Sequence, residues 1–502
     1  MSDDKSLDAT MSGFAARAEG EGALDTSGAA GLAYFGRFGV DEAMLRAAFD
    51  RALAHGADWA ELYFEHNVSH HLGLEDGAVN RAYASVTLGV GVRVVKGDQQ
   101  GYAYTEELTR DAVTQAAATA ALVANGPSRD APQAFAVQTL PSRYRMRLPF
   151  GDVGVAEKMP ILSRINELAF AATPELVKVQ VGFADSSGVV LVVESTGRMS
   201  FDRQPMARLS VSCTAERGGR RESAGANLAG REGFEFFSDA RVGKVTDEAV
   251  QRTMFLFDAT VAPAGTMPVV LAAGSAGILL HEAIGHGMEA DFNRKGTSVY
   301  SDKLNQRIAP DDITIVDDGT IEAQRGAINV DDEGVVAQRT VLVENGILRT
   351  YMHDRISALH YGVEPTGNGR RESFRHAPLP RMRSTYMEAG SRDPEEIVRS
   401  VKRGIYAESF TNGQVMIGAG DFTFYIKTGY LIEDGKKTRP IKDTNIIGNG
   451  PDVLTKTDMV GNDFAFDDGG WTCGKDGQSV PVSLGMPTVR VSEITVGGVN
   501  ES

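Results

Sequence analysis

Three Asx-Gly dipeptides constrain the fold of this chain more than any other feature. Asp76-Gly77, Asn345-Gly346 and Asp434-Gly435 each lie between two strand-like stretches. Such a dipeptide favours a two-residue turn that joins neighbouring antiparallel strands, because Asn, Asp and Gly accept positive φ angles. The sequence therefore predicts antiparallel β-sheet in both halves of the chain.

Helical patterns accompany the strands of the first half. Asp41 is suited to cap a helix through AMLRAAFDRAL, whose apolar residues recur at helical spacing. Further helices are predicted in TRDAVTQAAATAALVAN and near AEKMPILSRINELAFAA. A helix around TDEAVQRTMFLF, with Thr246 as its predicted cap, separates the two halves.

A run of strands precedes that separating helix. VKVQVGFAD and MARLSVSCTAER alternate apolar and polar residues, as half-buried strands do. VVLVVES follows Ser187-Gly188, and RMSFDR follows Thr196-Gly197. These segments predict four consecutive antiparallel strands, with turns at both dipeptides.

The length of 502 residues indicates more than one domain. We predict a polar N-terminal tail (1–38), a mixed α/β domain (39–260) and a β-rich domain (261–502) that carries one metal-binding helix. The fold class is therefore predicted to be α+β.

The charge and the cysteine count narrow the classes of function. A net charge of −16 argues against broad nucleic-acid binding, which needs a basic surface. Two cysteines fit a reducing compartment and exclude a disulfide framework. The start of the chain lacks the pattern of a secretory signal, and no stretch approaches 18 unbroken apolar residues. We therefore expect a soluble, cytoplasmic protein without a membrane span.

The stretch LLHEAIGHGMEAD, residues 279–291, contains the main chemical motif. His281 and His286 lie five positions apart, and Glu282 directly follows the first histidine. The surrounding residues are apolar, so the histidines are expected to be buried and to need partners. Either a metal ion or backbone hydrogen bonds can supply them.

The five-residue spacing has a geometric consequence. Zinc-binding helices usually space two histidines four apart, whereas a spacing of five places them about 140° apart around a regular helix. A π-helical turn brings residues five apart together, and such turns are frequent at functional sites. Gly285 and Gly287 flank His286 and lower the resistance to this distortion.

A catalytic zinc ion usually has three protein ligands, so a third is needed. The candidates are Glu289, Asp291, His353, His360, His376, Cys213 and Cys473. Cys213 shares a strand face with apolar residues and is expected in a core. Cys473 lies in the Gly-rich segment GGWTCGKDGQ, where it is either a ligand or an ordinary loop cysteine.

The most basic segment lies between residues 370 and 383. Its members are Arg370, Arg371, Arg375, His376, Arg381 and Arg383. Arginine binds carboxylates well, so the segment could hold a peptide carboxylate, and contact with nucleic acid is a second reading. Structural salt bridges are the more common role of such a run in an acidic protein.

Several segments together resemble the TldD branch of the TldD/PmbA family of metalloproteases, from about residue 40 to the end. They are RVVKGDQQGYAYT, PVVLAAGSAGILLHEAIGHGMEAD, NVDDEG, LVENGILRTYMHDRISA, TGNGRRESFRHAPLPRMRSTYM, DFTFYIKTGYLIEDGK and GGWTCGKDGQSVPVS. The resemblance implies a zinc-dependent peptidase with an H-E-x-x-x-H motif. It implies that His281, His286 and Cys473 bind Zn²⁺ and that Glu282 is the catalytic acid and base.

The resemblance also implies a mechanism and a partner. Zinc-bound water would be the nucleophile, and Glu282 would take its proton and pass it to the leaving amine. Glu289 and Asp291 either orient the histidine rings or act as solvated acids at the helix end. The expected substrates are small or unfolded peptides, which could bind as an added strand. The expected partner is a homologous TldE/PmbA-like chain without the metal motif.

Two other functions compete with the peptidase. Members of the family have also been named as DNA gyrase modulators, so a non-catalytic regulatory binding protein is the alternative. A structural zinc site is the third reading, and it requires four protein ligands. The intact Glu282 favours the peptidase, because a pure binding protein needs no acid beside the metal ligands.

Overall fold

The computed structural model describes residues 28–498, and the strands of the first half form a single sheet. Its order is β3-β2-β1-β5-β6-β4, with β7 paired to β6. The strands are β1 Trp59–Glu75, β2 Ala78–Lys96, β3 Gln99–Thr105, β4 Ala136–Val137, β5 Leu176–Glu194, β6 Arg198–Arg217 and β7 Arg220–Gly230. The helices are α1 Gly28–Gly36, α2 Glu42–Ala52, α3 Arg110–Ala120, α4 Val155–Ala172 and α5 Asp239–Asp258. Short 3₁₀ turns cover Ala121–Val123, Phe150–Asp152 and Phe234–Phe237.

Two separate helical layers cover one face of this sheet. Helices α1 to α3 pack on one end of the long strands, and α4 and α5 pack on the other end. The opposite face contacts the second half of the chain, where Tyr63, Val190 and Val192 pack against Phe374. The sheet therefore joins the helices to the β-rich half.

The helix starts agree with the sequence in one case and differ in another. The Asp41 side chain accepts a hydrogen bond from the Met44 N–H at 2.8 Å, so the predicted cap is confirmed. The prediction for Thr246 is wrong, because α5 begins at Asp239 and Thr246 lies buried inside it. Its hydroxyl donates to the Val242 carbonyl at 2.7 Å, which is the local bond that threonine makes within a helix.

The four predicted strands before α5 form two long ones. The chain turns at Thr196-Gly197 as predicted, with Gly197 at φ 86°, but it does not turn at Ser187-Gly188. There β5 continues in extended conformation, because β1 pairs with it on one side and β6 on the other. Continuous pairing on both sides overrides the local turn preference of Ser-Gly.

The predicted tail over 1–38 is only partly within the described residues. Residues 1–27 lie outside them. Residues 28–38 differ from a polar lead-in, because α1 forms there and Phe35 is fully buried in the first core. The apolar run GLAYFG supplies enough buried surface to fix this segment on the sheet.

The second half consists mainly of strands. They are β8 Thr260–Val261, β9 Gly265–Leu271, β10 Ile315–Asp318, β11 Arg339–Glu344, β12 Ile347–Leu348, β13 Gly369–Arg370, β14 Leu379–Pro380, β15 Ser384–Met387, β16 Arg403–Met416, β17 Asp421–Glu433, β18 Lys436–Lys442, β19 Thr444–Asn449, β20 Thr457–Val460, β21 Ala465–Phe466, β22 Thr472–Lys475, β23 Gln478–Pro481, β24 Ser483–Met486 and β25 Val489–Gly497. The helices are α6 Gly277–Leu280, α7 Ala290–Arg294, α8 Arg355–Tyr361, α9 Pro394–Arg399 and α10 Gly450–Thr455. The α+β prediction with a β-rich second half is confirmed.

Two sheets of this half enclose the motif helix. One contains the closed ring β16-β9-β25-β19-β17, because β17 pairs back to β16. The other has the order β12-β11-β10-β15-β24-β21. The helical segment that begins with α6 packs against β15 and β24 on one side and β16 and β17 on the other. The motif is thus buried between two sheets.

The three Asx-Gly turns form as predicted. Asp76, Asn345 and Asp434 have φ angles of 48° to 49°, and the following glycines have φ angles of 73° to 81°. Positive φ at both positions gives a turn whose twist matches that of the flanking strands. Each dipeptide therefore joins two antiparallel neighbours, including β17 and β18 of the ring sheet.

Buried ion pairs connect the two halves. Arg93 of β2 pairs with Glu333, and Glu61 of β1 pairs with Arg371. All four side chains are inaccessible to solvent. Removal of either partner in such a pair leaves an uncompensated buried charge. These contacts therefore help to hold the two halves in one relative position.

Candidate metal centre

The motif histidines lie on a π-helical turn. Helix α6 passes directly into a π turn over His281–Gly285, and a 3₁₀ turn follows over His286–Met288. The two imidazole rings lie with their centroids 5.1 Å apart. The predicted distortion is confirmed, since a regular helix would direct these side chains away from each other.

The glycines in this turn have a role that the sequence did not reveal. Gly285 has ordinary helical angles, φ −60° and ψ −49°, so it is not needed for backbone freedom. A Cβ atom at Gly285 would instead lie 2.2 Å from the Met382 sulfur, and one at Gly287 would lie 2.7 Å from the Tyr300 ring. Both glycines therefore permit close packing of the turn against its neighbours.

Cys473 reaches the histidines from β22. Its Sγ atom lies 3.4 Å from the His286 Nε2 atom, and one donor atom each from His281, His286 and Cys473 lie within 4.8 Å of one another. All three residues are buried. The Arg381 guanidinium donates to the Cys473 carbonyl at 2.6 Å and so fixes the backbone that carries the thiol.

The chemistry of these donors suits a zinc ion. Two imidazoles and one thiol form a set that favours Zn²⁺ over hard cations. Burial by itself raises the pKa of the Cys473 thiol, but the adjacent His281 and His286 imidazoles hold it well below its usual value. The buried Nδ1 atom of His281 has no hydrogen-bond partner in the described chain. Among residues 28–498, no fourth His, Cys, Asp or Glu joins this group.

Glu289 orients His286 from the side opposite the thiol. Its Oε2 atom lies 3.0 Å from His286 Nδ1, as expected where a carboxylate fixes the ring of a metal-binding histidine. Lys475 donates to Glu289 at 3.1 Å and to Asp291 at 2.7 Å. Burial raises the pKa of Glu289, yet Lys475 and His286 together lower it to about 2.

Lys475 was not identified from the sequence as part of this centre. Asp291 has neither of the two roles considered from the sequence. Asp291 contacts Lys475 rather than a histidine ring. The signal for Lys475 was present in GGWTCGKDGQ, because residues 473 and 475 of a strand point to the same face. A buried lysine on the face that carries the thiol must have acidic partners nearby.

Glu282 lies at the open side of the centre. Its side chain is about one quarter exposed and lines a cavity of about 170 Å³ together with His281, Gly413 and Trp471. Its Oε2 atom lies 3.8 Å from His286 Nε2. A carboxylate here can exchange protons with a molecule in the cavity while the buried donors hold an ion beside it.

The remaining candidate ligands lie elsewhere. Cys213 belongs to the core beneath α4 and α5, where burial raises the pKa of its thiol to about 11. His353 is buried beside Tyr351 and Tyr361, and burial lowers its pKa to about 4. His360 and His376 do not join the group of three donors either.

The basic segment is largely structural. Arg371 and Arg383 form buried ion pairs with Glu61 and Asp317, and Arg375 forms an exposed pair with Glu106. Salt bridges thus account for three of the arginines, and Arg381 holds the backbone of Cys473. Arg370 differs, since its side chain donates to two backbone carbonyls and forms no ion pair in the described chain.

Three family profiles match the chain. Residues 60–124 match the PmbA/TldA metallopeptidase domain 1, residues 148–254 match the central domain, and residues 264–498 match the C-terminal domain. Together they cover most of the described residues. In those residues, no helix combines the length and apolar character needed to cross a membrane.

Relatives carry names of the same kind. A metalloprotease TldD homolog of Haemophilus influenzae is 40% identical over 90% of this chain and 95% of its own length. A zinc metalloprotease TldD homolog of Saccharolobus solfataricus is 28% identical over 88% of this chain and 97% of its own length.

Solved structures share the fold. A Thermotoga maritima protein described as a proposed modulator of a DNA gyrase has a TM-score of 0.74 at 21% identity, over 91% of this chain and 100% of its own. TldE from Thermococcus kodakarensis has a TM-score of 0.70 at 19% identity, over 91% of this chain and 99% of its own. At these identities the likeness concerns the fold alone.

Proposed function

Because this chain belongs to the PmbA/TldD family of metallopeptidases, we propose that it is a zinc-dependent peptidase that hydrolyses small or unfolded peptides. In this proposal His281, His286 and Cys473 hold the ion, and Glu282 is the general base and acid. The observation that carries it is the convergence of three buried donors beside a cavity into which a carboxylate opens.

The chain's own residues have distinct roles in the reaction. A bound zinc ion supplies Lewis-acid activation of the scissile carbonyl and of the attacking water. Glu282 accepts a proton from that water and returns it to the leaving amine. Glu289 keeps the His286 ring in one orientation, and Lys475 keeps Glu289 ionised. The buried surroundings exclude competing water from the ligands.

An extended peptide fits the surroundings of the cavity. Strand β16 pairs with β9 only over Ile405–Ala407, whereas its pairing with β17 continues to Met416. Among the described residues, the other edge of β16 beside Gly413 has no strand partner. A peptide added at this edge is held through its backbone, which favours unfolded substrates of many sequences. Cleavage of a folded protein as fast as its unfolded form would contradict this mode.

The proposal includes a partner and a location. The likeness to a protein named TldE supports an assembly of this chain with a homologous chain that lacks the metal motif. The proposed location is the cytoplasm, because a reducing compartment keeps the Cys473 thiol available as a ligand.

The experiment compares wild type, Glu282→Gln and Cys473→Ala, each with and without the homologous partner chain. Zinc content and cleavage of an unfolded peptide are measured for every sample. We expect Glu282→Gln to keep its zinc and to lose about 10²- to 10⁴-fold in kcat. We expect Cys473→Ala to lose both zinc and activity.

The outcomes separate the alternatives. Unchanged cleavage by Glu282→Gln would remove that residue from its proposed role. Full zinc occupancy in Cys473→Ala would remove the third ligand. A wild-type protein that retains zinc, cleaves no peptide in either condition and binds DNA gyrase would instead favour the regulatory function.

A further inference from the structure

A second cavity lies between the two halves of the chain, next to the metal centre. It measures about 300 Å³, and four arginines line it: Arg231, Arg325, Arg370 and Arg371. Thr472 lines both this cavity and the one that contains Glu282. Because Cys473 directly follows Thr472 on β22, the arginine cavity adjoins the strand that carries the third metal donor.

Three of these arginines are buried without an acidic partner. Arg231, Arg325 and Arg370 are each at most 8% exposed. Within residues 28–498, none of them forms an ion pair with a carboxylate, whereas Arg371 pairs with Glu61. A buried charge without a counterion is costly, so proteins seldom keep several together unless a ligand neutralises them.

The three guanidinium groups also keep unused donors. A guanidinium has five N–H groups, and none of the three uses more than three of them in the described contacts. Arg325, for example, donates to the Trp471 carbonyl at 2.9 Å and to the Thr472 hydroxyl at 3.2 Å. Arg325 lines the cavity, so it can offer further N–H groups to a molecule bound there.

The acidic residues around the cavity are already occupied. Asp331 accepts from three backbone N–H groups, and Asp332 accepts from the backbone of Arg371. Glu65 accepts from the Phe374 N–H, and Glu372 accepts from the Ser479 N–H. In the described chain none of these acids forms an ion pair with Arg231, Arg325 or Arg370, although Asp332 stabilises the charged form of Arg370 from farther away.

The electrostatic effect of this crowding is visible at two positions. Burial and the neighbouring Arg208, Arg231 and Arg370 lower the pKa of Arg325 to about 9. Burial and Arg231 lower the pKa of Arg370 to about 10 despite nearby acids. A bound anion would reverse both shifts.

The geometry points to an anion-binding site formed by Arg231, Arg325 and Arg370, which takes an oxyanion, with a carboxylate of the peptide substrate as the favoured ligand. This assignment rests on the proposed peptidase function for the source of the ligand, but not for anion binding itself. A carboxylate held beside Thr472 would fix one part of a peptide while another part extends into the cavity of Glu282. Arginine forks bind such groups in a directional manner.

Direct binding tests the site without catalysis. Titration calorimetry of the full chain with inorganic phosphate is carried out on wild type, Arg325→Gln, Arg370→Gln and His281→Ala. We expect at least tenfold weaker binding in both arginine variants and unchanged binding in His281→Ala. Arg221→Gln is the matched control, because Arg221 is exposed and pairs with Glu216 on the surface. Two arginine variants are used so that, if one of them fails to fold, the other still tests the site.

Peptide kinetics identify the source of the anion. Pairs of peptides that differ only in a free or amidated C-terminus, or in one Glu or Gln, are compared for KM and kcat. We expect a KM at least about tenfold lower for one acidic member, and we expect this preference to disappear in Arg370→Gln with little change in kcat.

Each outcome has one meaning. Phosphate binding that depends on the arginines but brings no peptide preference assigns the site to a small free anion. The same binding without cleavage of any peptide means that the peptidase proposal fails while the anion site stands. Phosphate binding that is lost only in His281→Ala, or that is indifferent to Arg325 and Arg370, overturns the anion site.

Discussion

Two buried charged regions adjoin β22, and they are built differently. Beside the candidate metal donors, Lys475 contacts two carboxylates, and one of them contacts the ring of His286. In the cavity between the halves, Arg325 contacts a carbonyl, a hydroxyl and a sulfur atom, and it contacts no carboxylate in the part of the chain that the structure describes. The first region is complete within the chain, whereas the second has cationic groups in excess.

The difference teaches how to interpret a buried charge. A paired charge such as Lys475 fixes the orientation of neighbouring groups, and its removal leaves other charges without partners. A buried charge such as Arg325, which has no counterion among the described residues, destabilises the fold by itself and is compensated only when an anion binds to it. Substitutions should therefore destabilise the first region much more than the second.

The largest contrast is expected between Lys475→Met and Arg325→Met. Lys475→Met leaves Glu289 and Asp291 buried without their cation, so we expect a loss of about 3–5 kcal/mol in the free energy of unfolding. Arg325→Met removes a buried cation that has no counterion among residues 28–498, so we expect a change below about 1 kcal/mol. Urea titration of both full-length variants measures this. Equal losses would show that the two regions do not differ in the proposed way.

A smaller effect is expected for metal affinity in Glu289→Gln. The amide cannot hold the His286 ring as strongly as the carboxylate does, so zinc should bind about 10- to 100-fold more weakly. Asp291→Asn is the matched control, because Asp291 contacts Lys475 and not the histidine. Competition with a zinc chelator gives both affinities. If Asp291→Asn binds zinc as weakly as Glu289→Gln does, the loss of affinity is due to the contacts of Lys475 instead.

A pH-dependent contribution to stability is expected at the arginine cavity. Burial raises the pKa of Glu65, at the arginine cavity, from 4.5 to about 7. The folded state therefore holds this proton where the unfolded state has lost it, and stability falls as the pH rises from about 4.5 to 7. The contribution should be up to about 3 kcal/mol. Glu65→Gln should show a flatter profile in this window, and a profile identical to wild type would contradict the assignment.

The smallest effect is expected at the surface. Arg375 of the basic segment pairs with Glu106 in solvent, so Arg375→Gln should cost about 0–1 kcal/mol in the free energy of unfolding. The comparison variant is Arg371→Gln, whose partner Glu61 is fully buried and should be left uncompensated. Thermal unfolding of both variants checks the order. A larger loss for Arg375→Gln would reverse the distinction between exposed and buried pairs.

Local patterns in the sequence were sufficient for much of the fold. The Asx-Gly turns and the Asp41 cap depend on residues within a few positions of each other, and the structure has them as predicted. The predicted turn at Ser187-Gly188 and the predicted helix cap at Thr246 were wrong for a similar reason. Neighbouring strands and a longer apolar helix face overrode the local preference, and neither is visible in a short window.

At the candidate metal centre, too, local features were predictable from the sequence and long-range contacts were not. The π turn followed from the spacing of His281 and His286, because helical geometry alone makes that spacing unusual. The space that Gly285 leaves for Met382 did not follow, since these residues are almost a hundred positions apart. The lack of an acidic partner for Arg370 among the described residues was equally hidden, because a run of arginines does not indicate which members pair with acids.

The distance along the chain between the candidate donors also sets a delay during protein synthesis. His286 and Cys473 are 187 positions apart, and residues are added during synthesis at about 5–20 per second. A growing chain therefore carries both histidines for roughly 10–40 seconds before the thiol exists. During that interval the histidine pair lacks its third donor, so nascent chains cannot assemble the proposed hydrolytic centre. A ligand set split across the sequence thus delays activity until the enclosing sheets can form.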